Sequence, residues 1–236
     1  MKLSIIIPIK NEELVVKKII DQLQSKLKSL SYEIIFINDF STDSTTEVTK
    51  ELIKNKPEVS IYNNEREGLG GAITQGINRA TGEVVCIMMS DLSDSIDDLE
   101  RYYSIIKNEK IDAVFGSRFI KGSKIIDYPK KKLILNRIFN FTTKFLFFSD
   151  YNDFTNAFKI YKKKALLKTF PLVSESFNIF LELPLKIISR KMKYKIIPIS
   201  WINRKEGVSK FDIKELRAKY LFTLIYCLLE KLLLKK

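Results

Sequence analysis

The chain has 236 residues, of which 45% are hydrophobic and 11% aromatic, and its formal net charge is +13 at pH 7. This length is enough for one large domain or a domain with an appendage, and the apolar content excludes a disordered chain. The absence of histidine excludes Ser-His-Asp and Cys-His catalytic sites and imidazole metal ligands, so acid–base or metal chemistry must use carboxylates, lysines, tyrosines or backbone groups.

The first 118 residues alternate apolar runs with amphipathic segments. The apolar runs predict strands at residues 3–7, 32–39, 59–64, 83–89 and 112–118. Pro8 is expected to end the first strand, and Ser41 to cap the second helix. The helices are predicted at residues 13–30, 41–55 and 68–81. Strands and helices that alternate at this spacing predict an α/β fold with a mostly parallel sheet and helices on both faces.

Polar and acidic residues follow the predicted strands at the points where the strands end. Ligands of open α/β sheets bind beyond the carboxyl ends of the strands, so we expect these residues to share one ligand edge. They are Pro8, Asn11 and Glu12 after the first strand, Asn38 and Asp39 after the second, Asn63 and Asn64 after the third, and Ser90 and Asp91 after the fourth.

A row of carboxylates directly follows the fourth strand, within residues 91–100. Asp97, Asp98 and Glu100 suit the first turn of a following helix, whose positive end they stabilise. Asp91 and Asp94 suit a hard divalent cation at the ligand edge, with capping of the next helix as the structural alternative. Mg²⁺ or Mn²⁺ held by these two would neutralise a diphosphate leaving group.

The glycine-rich segment at residues 68–76 is not a dinucleotide-binding fingerprint. The third glycine of G-x-G-x-x-G would fall on Ile73, and the first strand lacks the motif. Two functions of these glycines stay open. One is a helix N-terminus near a phosphate, and the other is close packing of the backbone against another segment.

The second half of the chain is strongly basic. Residues 1–118 hold 15 Lys and Arg against 19 Asp and Glu, whereas residues 119–236 hold 26 against 9. This asymmetry suggests a part that holds a cation, followed by a part that faces an anion. The densest cationic group consists of Arg118, Lys130, Lys131, Lys132 and Arg137. We expect it to serve a phosphate or a membrane surface, the alternative being a solvated basic loop.

The remaining elements are predicted as a basic loop at residues 119–132, an aromatic helix at 133–148, a strand at 194–204 and a C-terminal helix at 214–236. The apolar run in that last helix covers ten residues, 220–229, whereas a membrane span needs about 20. We therefore divide the chain into a main domain, residues 1–211, and an amphipathic C-terminal helix, residues 212–236.

The C-terminal helix and the aromatic helix are expected to lie on an anionic membrane surface rather than cross it. The alternative is that both helices bury their apolar faces in the domain or in a homodimer interface. Cys86 and Cys227 lie in apolar runs, which is typical of reduced thiols in a cytosolic protein. The expected location is therefore the cytoplasm, peripheral on the cytoplasmic face of a membrane.

Seven motifs follow one another along nearly the whole chain: IIIPIKNEE, INDFSTDST, GLGGAITQG, MMSDLSD, VFGSRFIKG, DFTNAFKIYKKKAL and WINRKEGVSKF. In this order they resemble the inverting, nucleotide-sugar-dependent glycosyltransferases of family 2, most closely the dolichol-phosphate mannose synthase type. The resemblance implies a GT-A fold and a donor that is a GDP- or UDP-linked sugar. It also implies a metal-dependent, inverting transfer.

The resemblance assigns the donor side of the site residue by residue. Pro8, Asn11, Glu12 and Asp39 would hold the nucleoside, with Ser90 beside Asp91 on the same side. Asp91 matches the second carboxylate of the family's Asp-x-Asp metal motif. The first carboxylate falls on Met89, a departure for which Asp94 could compensate if its loop turns inward. The late diphosphate-side cations match Arg204 and Lys210.

The acceptor side is also implied by resemblance. Arg118, Lys132 and Arg137 match basic positions that meet an acceptor phosphate, and Asp153 stands where the family has an active-site aspartate. A polyprenyl phosphate acceptor is already an anion and needs no general base. A hydroxyl acceptor would need one, and Asp153 is the candidate.

Two other functions stay open on the sequence alone. The basic second half and a pI of about 9.5 would suit a non-catalytic nucleic-acid-binding protein. The acidic ligand edge argues against that function, because it would repel a phosphate backbone, and we expect no nucleic-acid partner. The other possibility is a transferase relic that Met89 has made inactive.

Overall fold

The computed structural model describes residues 1–202 and 213–233. The strands are β1 Leu3–Ile9, β2 Tyr32–Asn38, β3 Val59–Asn63, β4 Val84–Ile87, β5 Ala113–Ser117, β6 Lys124–Ile126, β7 Lys159–Lys162, β8 Tyr194–Pro198 and β9 Ser200–Ile202. The helices are α1 Val16–Lys26, α2 Thr45–Ile53, α3 Leu69–Arg79, α4 Ile96–Asn108, α5 Lys130–Phe147, α6 Lys163–Leu167, α7 Ile179–Ser189 and α8 Ile213–Leu233.

The main sheet of the described residues has seven strands in the order β3-β2-β1-β4-β7-β5-β8. Strands β1 to β4 are parallel to one another, and β8 is parallel to β5. Strand β7 lies between β4 and β5 and is antiparallel to both. The prediction of a mostly parallel sheet is confirmed. The antiparallel β7 begins at the same edge of the sheet at which β4 and β5 end.

Helices cover both faces of this sheet. On one face α1 and α4 pack against a core that includes Ile5, Ile7 and Val114. On the other face α3 and α7, with parts of α5 and α8, pack against a core that includes Ile6 and Phe115. Successive residues of a strand point to opposite faces, which is why neighbouring isoleucines of β1 contribute to both cores.

Strand β1 continues through Pro8 to Ile9, so the prediction that Pro8 ends it is wrong. The carbonyl oxygen of Ile6 accepts a hydrogen bond from Met88 N, and Pro8, two residues further along, turns its nitrogen toward the same side. The ladder between β1 and β4 stops at Ile6 and Ile87. The missing N–H of Pro8 therefore lies beyond the last residue pair of the ladder between β1 and β4.

Other predicted boundaries also change. Helix α2 begins at Thr45 after Ser44, so the expected N-cap at Ser41 is wrong, and the Ser41 hydroxyl instead accepts a hydrogen bond from Asn11 N at 3.0 Å. The strand predicted at residues 194–204 divides into β8 and β9 in its described part. The predicted basic loop at 119–132 contains β6, which pairs with β9 in a separate two-stranded sheet.

The described part of α8 is docked against α7. Thr223, Leu224 and Cys227 are buried, and the Tyr220 hydroxyl donates to the Phe177 carbonyl at 3.0 Å. Cys227 and Cys86 are free thiols, as expected. Within residues 1–202 and 213–233, no helix combines the length and the apolar character that crossing a membrane requires.

Glu33 stabilises the sheet edge opposite to the ligand edge. Its carboxylate accepts hydrogen bonds from Lys2 Nζ at 2.8 Å, Ser4 Oγ at 2.5 Å and Thr81 N at 2.6 Å. Burial alone would raise the pKa of Glu33, but the hydrogen bonds from Lys2, Ser4 and Thr81 outweigh it and lower the pKa to about 2. Since the folded-state pKa lies below the unfolded value, this contribution is complete at neutral pH and is lost as the pH falls toward 2.

We expect Glu33→Gln to lower the free energy of unfolding by about 2 kcal/mol at pH 7. The difference from the wild type should shrink as the pH falls from 5 toward 2, because the native carboxylate is then protonated. Urea unfolding at several pH values measures this. The surface variant Glu109→Gln is the control and should change stability by less than about 0.5 kcal/mol. If Glu33→Gln lowers the free energy of unfolding by the same amount at every pH, the ionised Glu33 carboxylate does not have this stabilising role.

Candidate active site

The loops after β1 and β2 are locked together at the ligand edge. Asn11 has a left-handed backbone (φ 53°), which asparagine tolerates better than most residues, and its side-chain oxygen accepts from Thr42 N at 2.8 Å. Glu12 is 5% exposed, and its backbone N–H donates to Thr45 Oγ1 at 2.8 Å. Pro8, Asn11 and Glu12 therefore lie where the sequence predicts, at the end of β1.

Asp39 holds the loop that precedes α3, which we call the Gly68 loop (residues 64–68). Its Oδ1 accepts hydrogen bonds from Asn64 Nδ2 at 2.7 Å and from Gly68 N at 2.8 Å. The Asn64 amide also donates to the Gly68 carbonyl at 3.2 Å. Asp39 is buried, with 8% of its surface exposed.

The residues after β4 continue this polar edge. Ser90 Oγ donates to Glu12 Oε1 at 3.2 Å, which connects the end of β4 to the loop after β1. Asp91 is half-buried and accepts from Ser93 N at 3.0 Å. Met89 packs against the hydrophobic core, so the position of the family's first metal carboxylate belongs to the core in this chain.

The Asp94 carboxylate turns inward, as the sequence analysis required for it to assist Asp91. It is 9% exposed. Burial is the main cause that raises its pKa, to about 8, followed by repulsion from Asp91, while Arg118 and Lys159 oppose the shift. Two neighbouring carboxylates in such a place have the donor chemistry of a Mg²⁺ or Mn²⁺ site whose other ligands are substrate phosphates and water. The described residues contain no cluster of three or more metal-ligating side chains.

Arg118 and Asp153 form a buried, bidentate ion pair. Arg118 Nε and Nη2 lie 2.8 and 2.7 Å from the two Asp153 oxygens, and Arg118 N donates to the same carboxylate at 2.9 Å. The side chains are 7% and 0% exposed. Burial disfavours the guanidinium charge, but Asp153 outweighs it and raises the pKa of Arg118. Both oxygens of Asp153 thus accept hydrogen bonds from Arg118, and this geometry holds the guanidinium in one orientation.

Two further cations, Lys132 and Arg137, lie near this pair. Arg118 and Arg137 both lie over the Phe119 ring, at 5.3 and 4.7 Å from its centroid. The pKa of Lys132 is lowered, mainly by burial and also by the Arg118 charge, so the two cations are close in space. The structure therefore brings together Arg118, Lys132 and Arg137, which is an arrangement that suits a phosphate.

An aromatic wall encloses Arg118, and the sequence analysis did not predict it. The Tyr128 and Trp201 rings are in contact, with centroids 5.0 Å apart and planes tilted by 46°. Their centroids lie 5.7 and 5.8 Å from the guanidinium carbon of Arg118. The loop of Asp94 pairs with β9 at Trp201, and Asp98 Oδ2 accepts from Ser200 N at 2.8 Å. The wall is thus attached to the acidic loop.

Lys159 is a second residue that the sequence analysis missed. It is 1% exposed, and its ammonium donates to the carbonyls of Phe154 at 3.1 Å, Phe180 at 3.4 Å and Asn156. Burial lowers its pKa to about 7. These bonds fix the turn that follows Asp153. Of the predicted site residues, Arg204 and Lys210 lie outside the described residues.

A mostly parallel sheet that has carboxylates beside a cation cluster at its ligand edge suits a phosphate-bearing ligand and a divalent cation. The chain belongs to glycosyl transferase family 2, whose family pattern matches residues 4–170. The resemblance seen in the sequence is confirmed. Because this is a family of transferases, the alternative of a non-catalytic nucleic-acid-binding protein is not retained.

Two relatives illustrate the likeness. The dolichol-phosphate mannosyltransferase of Pyrococcus furiosus is 31% identical over 137 residues, which are 58% of this chain and 39% of the relative. The chain therefore spans less than half the length of that relative. The polyprenol monophosphomannose synthase of Mycolicibacterium smegmatis is 25% identical over 191 residues, which are 78% of this chain and 72% of the relative.

The fold is shared with a solved structure. The glucosyl-3-phosphoglycerate synthase of Mycobacterium tuberculosis, crystallised with Mn²⁺, UDP-glucose and phosphoglyceric acid, superposes with a TM-score of 0.75. The match covers 96% of this chain and 79% of the synthase at 15% identity. The prediction of a GT-A fold is confirmed by this likeness.

Proposed function

We propose that this protein transfers a sugar from a GDP- or UDP-linked donor to a polyprenyl phosphate at a membrane surface. The observation that carries the proposal is the Arg118–Asp153 pair, with Lys132 and Arg137 beside it, at the same sheet edge as Asp39 and Asp91. An acidic donor side and a cationic acceptor side thus face one reaction space. The names of the two relatives, a dolichol-phosphate mannosyltransferase and a polyprenol monophosphomannose synthase, support the choice of acceptor.

The donor side would hold the nucleoside with Asn11, Glu12 and Asp39. Asp91 and Asp94 would hold Mg²⁺ or Mn²⁺, which when bound supplies positive charge to the diphosphate leaving group. Arg204 and Lys210 remain proposed diphosphate contacts on grounds of resemblance.

The reaction is a single displacement at the anomeric carbon. An oxygen of the acceptor phosphate forms the new bond, the bond between that carbon and the nucleoside diphosphate breaks, and its electron pair leaves with the diphosphate. No proton has to be removed from a phosphate anion, which suits a chain without histidine. Arg118, held in a fixed orientation by Asp153, would place the phosphate for attack, and the configuration at the anomeric carbon inverts.

The membrane surface is proposed from two exposed apolar stripes. On α5 and its C-cap the stripe is formed by Ile134, Ile138, Phe141, Phe145 and Phe148, all more than half exposed. Its spacing of three and four residues defines one helix face. The cations Lys132 and Arg137 lie on the same helix, so a phosphate held by them would be at headgroup depth when the stripe contacts lipid. Helix α8 adds Phe222, Ile225, Leu229 and Leu232.

We expect the protein to float with phosphatidylglycerol liposomes at low salt, and the double variant Phe141→Gln/Phe145→Gln to float much less. Removing α8 is unsuitable, because its buried side chains belong to the core. Leu14→Gln, which changes an apolar side chain that is 90% exposed elsewhere, is the matched control and should float as the wild type does. If the wild type stays with the soluble fraction and sediments as a dimer, the stripes form a homodimer interface instead.

The proposed function is tested by nucleoside diphosphate release from a panel of GDP- and UDP-sugars with Mg²⁺ or Mn²⁺. Adding a short polyprenyl phosphate should accelerate release from one donor well above slow hydrolysis. Release that no polyprenyl phosphate accelerates, with every donor and either metal, would refute the proposal and favour an inactive relic.

A further inference from the structure

Glu182 on α7 is a buried carboxylate outside the reaction space. It is 0% exposed, and it accepts hydrogen bonds from Val173 N at 2.9 Å and Ser174 N at 2.8 Å. Its charge is balanced by Lys186, 2.9 Å away and one helical turn further on. A buried carboxylate that accepts two backbone N–H groups holds that stretch of backbone in one position. We call this stretch, residues 173–175, the clamp segment.

The clamp segment packs directly on the glycines that open α3. The Glu175 carbonyl accepts from Gly70 N at 3.0 Å, and this bond satisfies an N–H in the first turn of a helix that has no side-chain cap. A Cβ on Gly70 would lie 1.9 Å from the Ser174 carbonyl oxygen, and one on Gly68 would lie 2.5 Å from that of Glu175. The sequence left two functions open for these glycines, a helix N-terminus near a phosphate and close packing of the backbone. The structure shows the close packing.

Through these contacts the clamp segment is connected to the Gly68 loop, and through that loop to Asp39. Gly68 N donates to Asp39 Oδ1, and Asn64 bridges the same oxygen and the Gly68 carbonyl. We infer that Glu182 is a positioning residue for the donor. It fixes the clamp segment, which fixes Gly68 and the orientation of Asp39, without contact between Glu182 and the donor. The inference rests on the proposed function, in which Asp39 holds the nucleoside.

The test is calorimetric binding of UDP and of GDP, each with MgCl₂, to the full chain. Glu182→Gln should bind the nucleotide that the wild type prefers about tenfold more weakly. At saturating donor, its kcat and its KM for polyprenyl phosphate should stay within about twofold of the wild type. Gly70→Ala should weaken nucleotide binding similarly, because the new methyl group points at the Ser174 carbonyl and displaces the clamp segment.

Glu33→Gln is the matched control. It also removes a carboxylate that accepts backbone N–H groups, but at the opposite edge of the sheet, so it should keep wild-type nucleotide affinity. If Glu182→Gln folds and binds the nucleotide as tightly as the wild type does, the inference is wrong. It is also wrong if Glu33→Gln loses as much nucleotide affinity as Glu182→Gln does. Should Glu182→Gln fail to fold, Gly70→Ala decides by the same criterion. If the wild type binds neither nucleotide, the proposed function fails and the inference fails with it.

Discussion

Replacing Asp91 with asparagine is expected to reduce sugar transfer about a hundredfold or more at saturating donor. The variant loses one of two carboxylates that are proposed to hold the divalent cation, so the charge on the leaving diphosphate is no longer neutralised. Asparagine retains an oxygen that can accept from Ser93 N, as Asp91 does at 3.0 Å. The melting temperature should therefore stay close to that of the wild type.

Asp97→Asn is the matched control for this variant, because it makes the same chemical change in the same acidic row. Asp97 is a surface residue paired with Lys26, and its loss should leave transfer unchanged. Initial rates as a function of MnCl₂ concentration measure the effect of both variants. Wild-type transfer by Asp91→Asn at the wild-type metal requirement would show that Asp91 is not a metal ligand.

Arg118→Lys is expected to raise the KM for the acceptor about thirtyfold while the KM for the donor changes little. Lysine keeps the positive charge next to Asp153 but loses the planar fork that makes two parallel hydrogen bonds. Alanine is a poorer test, because it would leave the buried Asp153 carboxylate unpaired at a cost of about 3–5 kcal/mol. The surface variant Arg101→Lys is the control and should behave as the wild type.

Asp153→Asn separates a positioning role of Asp153 from a role as general base. If Asp153 only orients Arg118, then Asp153→Asn and Arg118→Lys each raise the acceptor KM, and the double variant is little worse than either single variant. If Asp153 is a base, Asp153→Asn lowers kcat by about a hundredfold or more without raising the acceptor KM. Steady-state kinetics at saturating donor distinguish the two outcomes.

The sheet could largely be predicted from local pattern. Buried parallel strands are continuous apolar runs, and β1, β2, β4 and β5 largely have this character, so their approximate positions follow from the sequence. Strand β7 could not be predicted, because its four residues begin and end with lysine. Lys159 can be buried in β7 because its ammonium donates to backbone carbonyls of the turn after Asp153 and of α7. These are tertiary contacts, and no local sequence pattern indicates them.

In the candidate site, too, some residues could be predicted from the sequence and others could not. Asp39 and Arg118 stand directly after β2 and β5, and Asp91 stands shortly after β4, so the rule that ligands bind at carboxyl ends was enough to find them. The ion pair between Arg118 and Asp153 depends on β7 being antiparallel, since only then does the segment that leads into that strand, which contains Asp153, lie at the ligand edge. The position of Trp201 depends on the small β6–β9 sheet, whose strands are too short to give a periodic signal.

The most direct test of the central claim is a comparison of two lipids that differ only in the phosphate. The protein is incubated with its donor nucleotide sugar, Mg²⁺ and either a polyprenyl phosphate or the corresponding polyprenol, and the lipid fraction is analysed by mass spectrometry. We predict a polyprenyl phosphate that carries one sugar residue, and no glycosylated polyprenol. A glycosylated polyprenol, or no lipid product under conditions in which the donor is consumed, would contradict the account.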